Sequence, residues 1–181
     1  MAGKPIDKKR LGAFLERLSI FLERPSTIFL LGGSSLTWRG VKGESIDVDL
    51  ALAEDEADPI PILDAISSAS DFIEANADVM RLNDLLPLPE GYADRAEPAG
   101  KFGLLTVFHF DPYSVALTKL ARSAAKDTRD VGGMIQAGII DCATLHAHFE
   151  SVLSRYKRRV TRGDWADFQR KFEVFYNEHC Q

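Results

Sequence analysis

The chain has 181 residues, 45% of them hydrophobic and 27% charged, with a formal net charge of −5. That composition suits one soluble globular domain, or a domain with a helical appendage, and excludes a protein that coats nucleic acid indiscriminately, which would need many Lys and Arg against phosphates. No apolar run approaches the roughly 20 residues of a membrane-spanning helix, and Met1 to Arg10 is basic without a signal-peptide hydrophobic segment, so a cytoplasmic protein is expected.

Apolar residues at Leu11, Phe14, Leu15, Leu18, Phe21 and Leu22 recur at helical spacing, which predicts an amphipathic helix over residues 6–23, ended by Arg24-Pro25. The β-branched and aromatic run 27–31 predicts a short buried strand. Gly32-Gly33-Ser34-Ser35 then turns the chain sharply and lets a ligand approach the backbone. A helical turn over 34–39 follows, with Ser34 or Ser35 as its N-cap, and its amino-terminal N–H groups and positive dipole end suit a triphosphate. Asp47 and Asp49 are two apart in the strand predicted for 46–52. They should share one face while Ile46, Val48 and Leu50 enter the core. Adjacent carboxylates repel, a cost that a divalent cation between them removes, and Mg²⁺ prefers a few carboxylates combined with phosphate oxygens.

Residues 54–61 are acidic and proline-bearing and predict an exposed loop. Pro59 or Pro61 suits the first turn of a helix to about residue 69. A short strand is expected over 71–75, carrying Glu74. Residues 83–100 hold three prolines and two glycines without periodicity, the pattern of a long structured loop able to roof a site, with Arg95 and Lys101 available to phosphate or RNA. Residues 104–110 alternate as a strand, with Leu105, Val107 and His109 on one face, and His109 reads as a packed histidine. Asp111 is the N-cap, and Pro112 the first residue, of a helix to about residue 124.

Lys119 and Asp130 would lie about 16 Å apart on one continuous helix, so a break is needed to bring them to one phosphate, and Asp127 is a candidate N-cap of a new helix. Two further helices are expected over 141–157 and 164–179, forming a C-terminal helical layer. Cys142 and Cys180 have no partner spacing and fit free thiols in a reducing compartment better than a disulfide framework. Charge is uneven. Residues 151–181 carry seven Lys/Arg against four acids, whereas residues 44–58 carry seven acids and no base.

The order Gly-Gly-Ser, about a dozen residues, then Asp-x-Asp on a strand resembles the signature of the polymerase-β-like nucleotidyltransferases. Phe72-Ile73-Glu74, the stretch from Asp84 to Tyr92 with Arg95, Phe110-Asp111-Pro112-Tyr113 leading to Lys119, and Lys126 to Val131 resemble the bacterial DUF6036 and AbiEii-related branch, to which type IV toxin–antitoxin toxins belong. The resemblance spans roughly residues 25–150. It implies an α+β fold, with a mixed sheet and flanking helices as the nucleotidyltransferase core over residues 1–111 and a helical region over residues 112–181 packed on it. It also implies transfer of a nucleoside monophosphate from a nucleoside triphosphate to an acceptor. Asp47 and Asp49 would hold Mg²⁺ or Mn²⁺, and Glu74 would complete the metal set or help deprotonate the acceptor. Gly32, Gly33, Ser34 and Lys119 would hold the triphosphate, with Asp130 pairing with or orienting a basic residue. The implied acceptor is RNA, with tRNA 3′ ends the leading candidate, and the implied protein partner is a cognate antitoxin. Gly43 and Ser45 stand where the branch often has Arg and Thr, with Lys42 offering a charge without the bidentate geometry of Arg. The alternative is a catalytically weak nucleotide-binding or protein-interaction module of such an operon.

Overall fold

Alternating burial along the strands, Val48 in, Asp49 out and Leu50 in, gives this sheet one apolar face that must be covered. The computed structural model describes residues 4–53, 58–81 and 86–180. Residues 54–57 of the expected acidic loop, and residues 82–85, including Asp84, lie outside the described residues. The fold is α+β, with seven helices and a mixed five-stranded sheet among the described residues. It divides into two compact units, residues 1–82 with 97–110, and residues 83–96 with 111–181.

In the first unit the sheet order is β5 (Ala77–Val79), β4 (Val48–Leu52), β2 (Ser26–Leu30), β7 (Leu105–His109) and β6 (Glu97–Phe102). The central β2 runs antiparallel to β4 and parallel to β7, while β4 and β5 are parallel and β6 and β7 antiparallel. Helices α1 (Lys8–Phe21) and α3 (Ile60–Ile73) bury Leu11, Phe14, Leu15, Leu18, Ile62 and Ile66 in one core with Ile28, Leu30, Val48, Leu50, Leu105 and Val107 of the strands. Phe29, Phe108 and Phe110 form a ring cluster, with centroids 5.9 Å apart in each pair with Phe29. Helix α2 (Gly32–Arg39) follows β2 directly, and β1 (Ile6–Asp7) pairs antiparallel with β3 (Glu44–Ser45) as a separate two-stranded sheet. Asp7 caps α1 by accepting from Arg10 N–H.

Three expectations are corrected here. Residues 71–75 are not a strand, because α3 continues to Ile73 and Glu74 is its left-handed C-cap, with φ 51°. Residues 97–100, the end of the expected loop, belong to β6, which pairs with β7 because backbone pairing along a neighbour compensates for weak side-chain patterning. Ile46 precedes β4 rather than sitting in it and is 58% exposed instead of entering the core.

The second unit is built from α4 (Pro112–Arg122), α5 (Ala125–Gln136), α6 (Cys142–Tyr156) and α7 (Arg162–His179). Phe149 and Phe172 stack with centroids 3.7 Å apart, and Tyr156 meets Phe168 edge-on, so α6 and α7 run antiparallel. That arrangement brings the first residue of α6 against the C-cap of α7, and Cys142 and Cys180 form a disulfide with Cα atoms 5.7 Å apart. The expectation of two free thiols is thereby corrected. Sequence spacing gave no sign of the pairing because it depends on how two distant helices align. Residues 83–96 belong with this unit rather than with the sheet. Arg155 donates to Leu88 O, and Arg95 donates to Glu90 O and to both oxygens of Asp111.

Candidate functional site

The two glycines after β2 let α2 start close against β4. A Cβ on Gly32, whose φ is +43°, would stand 2.7 Å from Asp49 Oδ2, and one on Gly33 would stand 2.3 Å from Ser45 Oγ. With no side chain there, Gly33 N–H donates to Asp49 Oδ2 at 3.0 Å and Leu31 N–H donates to Asp49 O at 3.0 Å. A carboxylate at a helix amino end gains from both the hydrogen bond and the dipole.

The serines do not cap the helix. The N-cap is Leu31, without a side-chain bond, because α2 begins at Gly32, two residues earlier than expected. The Ser34 hydroxyl instead joins the helix to the carboxylate strand, accepting from Asp49 N–H at 2.9 Å and donating to Asp47 O at 3.2 Å. Ser34 therefore ties the start of α2 to the backbone on either side of Val48.

Asp47 lies just before β4, half-buried, with Oδ1 accepting from Asn76 Nδ2 at 3.3 Å. Glu74 is elsewhere. Its carboxylate is 71% exposed and bonded to Lys4 Nζ at 2.7 Å, and the ammonium holds it below the usual carboxylate range. The carboxylate that the sheet brings beside Asp49 is Asp78, its register partner on parallel β5, and paired residues in a ladder point to the same face. Asp78 and Asn76 were missed by sequence reasoning. A single charge between apolar neighbours in Ala77-Asp78-Val79 was the available signal. Among the described residues no three His, Cys, Asp or Glu side chains are gathered as a metal cluster. The donor set at Asp47 and Asp49 is nevertheless of the kind Mg²⁺ takes, hard carboxylate oxygens with the remaining positions left to phosphate and water.

In the second unit, Ser123 closes α4 in the left-handed conformation, φ 55°, and the chain re-enters a helix at Ala125. This break folds α5 back so that Lys119 Nζ meets Asp130 Oδ2 at 2.7 Å and Asp127 Oδ1 at 3.2 Å, while Arg122 also donates to Asp127 at 3.1 Å. Lys119 is 4% exposed and Asp127 1%. Burial pushes the Asp127 carboxyl up, but the Lys119 ammonium and the Arg122 guanidinium outweigh it and hold the group below the usual range. Asp127 is the third residue of α5 rather than its N-cap, which is Ala124. Arg95, expected to face phosphate or RNA, instead holds Asp111 with two bonds of 2.7 and 3.0 Å, and Asp111 also accepts from the Ser114 hydroxyl at 2.6 Å.

Lys157, Arg158, Arg159 and Arg162 are exposed around the α6–α7 turn, with Lys157 Nζ 4.4 Å from the Trp165 ring centre. No helix among the described residues is long and apolar enough to cross a membrane. No curated protein and no solved structure matches the chain. A family model, described as a nucleotidyltransferase of unknown function, matches residues 9–178, nearly the whole sequence. With a strand, a glycine turn and a carboxylate strand arranged as above, the chain belongs to the DUF6036 nucleotidyltransferase family.

Proposed function

We propose that this nucleotidyltransferase depends on a divalent metal, takes a nucleoside monophosphate from a nucleoside triphosphate, and delivers it to a hydroxyl of RNA, with tRNA 3′ ends the leading acceptor. The observation that carries this reading is the Asp49 carboxylate lying at the amino end of α2 on Gly33 N–H, with Asp49 in register with Asp78. Asp47 and Asp49 would hold Mg²⁺ or Mn²⁺, which when bound stabilises charge on the attacking and leaving oxygens. The residues fit it. The space over Asp49 Oδ2 exists only because residue 32 lacks a side chain.

In the reaction, the acceptor oxygen bonds to the α-phosphorus, the bond to the bridging oxygen of the β-phosphate breaks, and pyrophosphate leaves. The hydroxyl proton passes to a carboxylate, for which Asp78 takes the place first given to Glu74. The positive dipole end of α2, which begins at Gly32, attracts the phosphates, while its Gly33 N–H holds Asp49. The exposed cations Lys157, Arg158, Arg159 and Arg162 are the surface suited to an RNA backbone. A toxin-like role beside a cognate antitoxin rests on the resemblance of residues 25–150.

Incubation with total RNA, Mg²⁺ and each α-³²P triphosphate in turn tests the reading. A discrete labelled RNA band is expected from the wild type, and Asp49→Asn should abolish it while thermal unfolding stays nearly unchanged, since the substitution also relieves like-charge repulsion. Retained transfer by the variant would reject the carboxylate assignment. A catalytically weak binding module is the second reading. It is favoured by the burial of Lys119 in an ion cluster with two aspartates, which engages the cation expected to meet the triphosphate.

A further inference from the structure

His109 ends β7 level with Leu30 of β2, and Leu31, the N-cap of α2, comes next in the chain. Its ring is buried, and Nδ1 lies 2.8 Å from Ser35 Oγ, itself buried. Ser35 is the residue whose N–H makes the first helical bond of α2, to Leu31 O at 2.9 Å. The pair therefore ties the first turn of α2 to the end of a neighbouring strand, within one turn of the Gly33 N–H that meets Asp49. The charged groups around the ring are Arg39 of α2, Glu97 of β6 and Lys8 of α1, with Arg39 and Glu97 paired at 2.9 Å.

This histidine is not built as a base. Burial, reinforced by Arg39, pushes its imidazole down to about 4, so it is neutral over the ordinary working range and weakly basic. Asp111, two residues on, is held by Arg95. What remains is geometry. A neutral, buried hydrogen bond between a rigid strand end and a helix start fixes direction, because any swing of α2 would leave a buried polar group unpaired.

We propose that His109 is a positioning residue for the nucleotide site. Through Ser35 it fixes the aim of the amino end of α2, and so sets triphosphate affinity, without touching nucleotide or metal. The proposal rests on the nucleotidyltransferase reading of the Gly32 to Asp49 site.

The test measures calorimetric binding of ATP, CTP, GTP and UTP with Mg²⁺, and Mn²⁺ binding by electron paramagnetic resonance. The proteins are wild type, His109→Ala, His109→Asn, Ser35→Ala and the double alanine variant. Asparagine presents an acceptor oxygen close to where Nδ1 stands. For the triphosphate that the wild type binds best, His109→Ala and Ser35→Ala should each weaken binding about five- to tenfold, the value of one neutral hydrogen bond. The double variant should be no worse than either single one. His109→Asn should stay within about twofold of wild type, and Mn²⁺ affinity should be unchanged throughout. Wild-type triphosphate affinity in both alanine variants, additive losses in the double variant, or an asparagine variant as weak as alanine would each overturn the proposal. If His109→Ala does not fold, Ser35→Ala and His109→Asn decide the matter. A wild type that binds none of the four triphosphates overturns the nucleotide reading itself, and this role with it.

Discussion

The close approach of α2 to β4 makes a quantitative prediction through three glycines that differ in one physical variable at a time. At Gly43 an added Cβ meets nothing within 4 Å and the backbone is not left-handed, so Gly43→Ala should be neutral or stabilise slightly. At Gly40 the space is equally open, but φ is +78°, and alanine should cost about 1–2 kcal/mol in backbone strain. At Gly32 the φ of +43° adds the same strain to a Cβ 2.7 Å from Asp49 Oδ2, a contact that must push the carboxylate or the helix aside at a further cost of about 1–3 kcal/mol. Gly32→Ala should therefore lose about 2–5 kcal/mol and also weaken Mn²⁺ binding. The assay is urea unfolding followed by the fluorescence of Trp38, which lies in the same unit, in a Trp165→Phe background so that the helical unit is silent. If Gly32→Ala proves no more costly than Gly40→Ala and binds Mn²⁺ normally, the reasoning that residue 32 must be bare to accommodate Asp49 is refuted.

Asp127→Ala should cost about 3 kcal/mol in the helical unit, well above the loss of a helix cap, because it strips a buried partner from Lys119 and Arg122; chemical denaturation followed by Trp165 fluorescence checks this, and a loss below about 1 kcal/mol would show the cluster to be inert. Reduction of the Cys142–Cys180 bond, which closes a separation of 38 residues, should lower stability by up to about 4 kcal/mol on chain-entropy grounds, and the same shift should appear in Cys142→Ser without reductant. Since His109 sits below its unfolded value, the unfolded chain takes up the proton first as pH falls. Stability should therefore drop between pH 6.5 and about 4, by an amount on the order of 3 kcal/mol, and His109→Asn should flatten that part of the curve. His148, held down by burial and by Arg95, acts with the same sign in the other unit.

The local architecture of the candidate site was legible in the sequence because it lies within about twenty residues: a strand, two glycines, a helix start and a second strand carrying Asp49, although Asp47, expected on that strand, lies just before it. The same holds for α1, β2, β7, α4, α6 and α7, where apolar period or a strong cap such as Asp111 dictates the element. Residues 60–73 were legible as a helix, but their end was misplaced. Phe72-Ile73 has strand-like side chains, yet in α3 it is the last turn, and the following left-handed Glu74 moves the strand on to Ala77. That shift replaces Glu74 with Asp78 beside Asp49, a substitution that only the register of β4 against β5 decides. Tertiary structure likewise decided that Lys119 is enclosed by Asp127 and Asp130, that Arg95 and Arg155 fasten residues 86–96 to the helices, and that Cys142 finds Cys180. In each case the partners are set by how separate elements pair, and helical or strand periodicity fixes which face a side chain takes but not which distant residue it meets there.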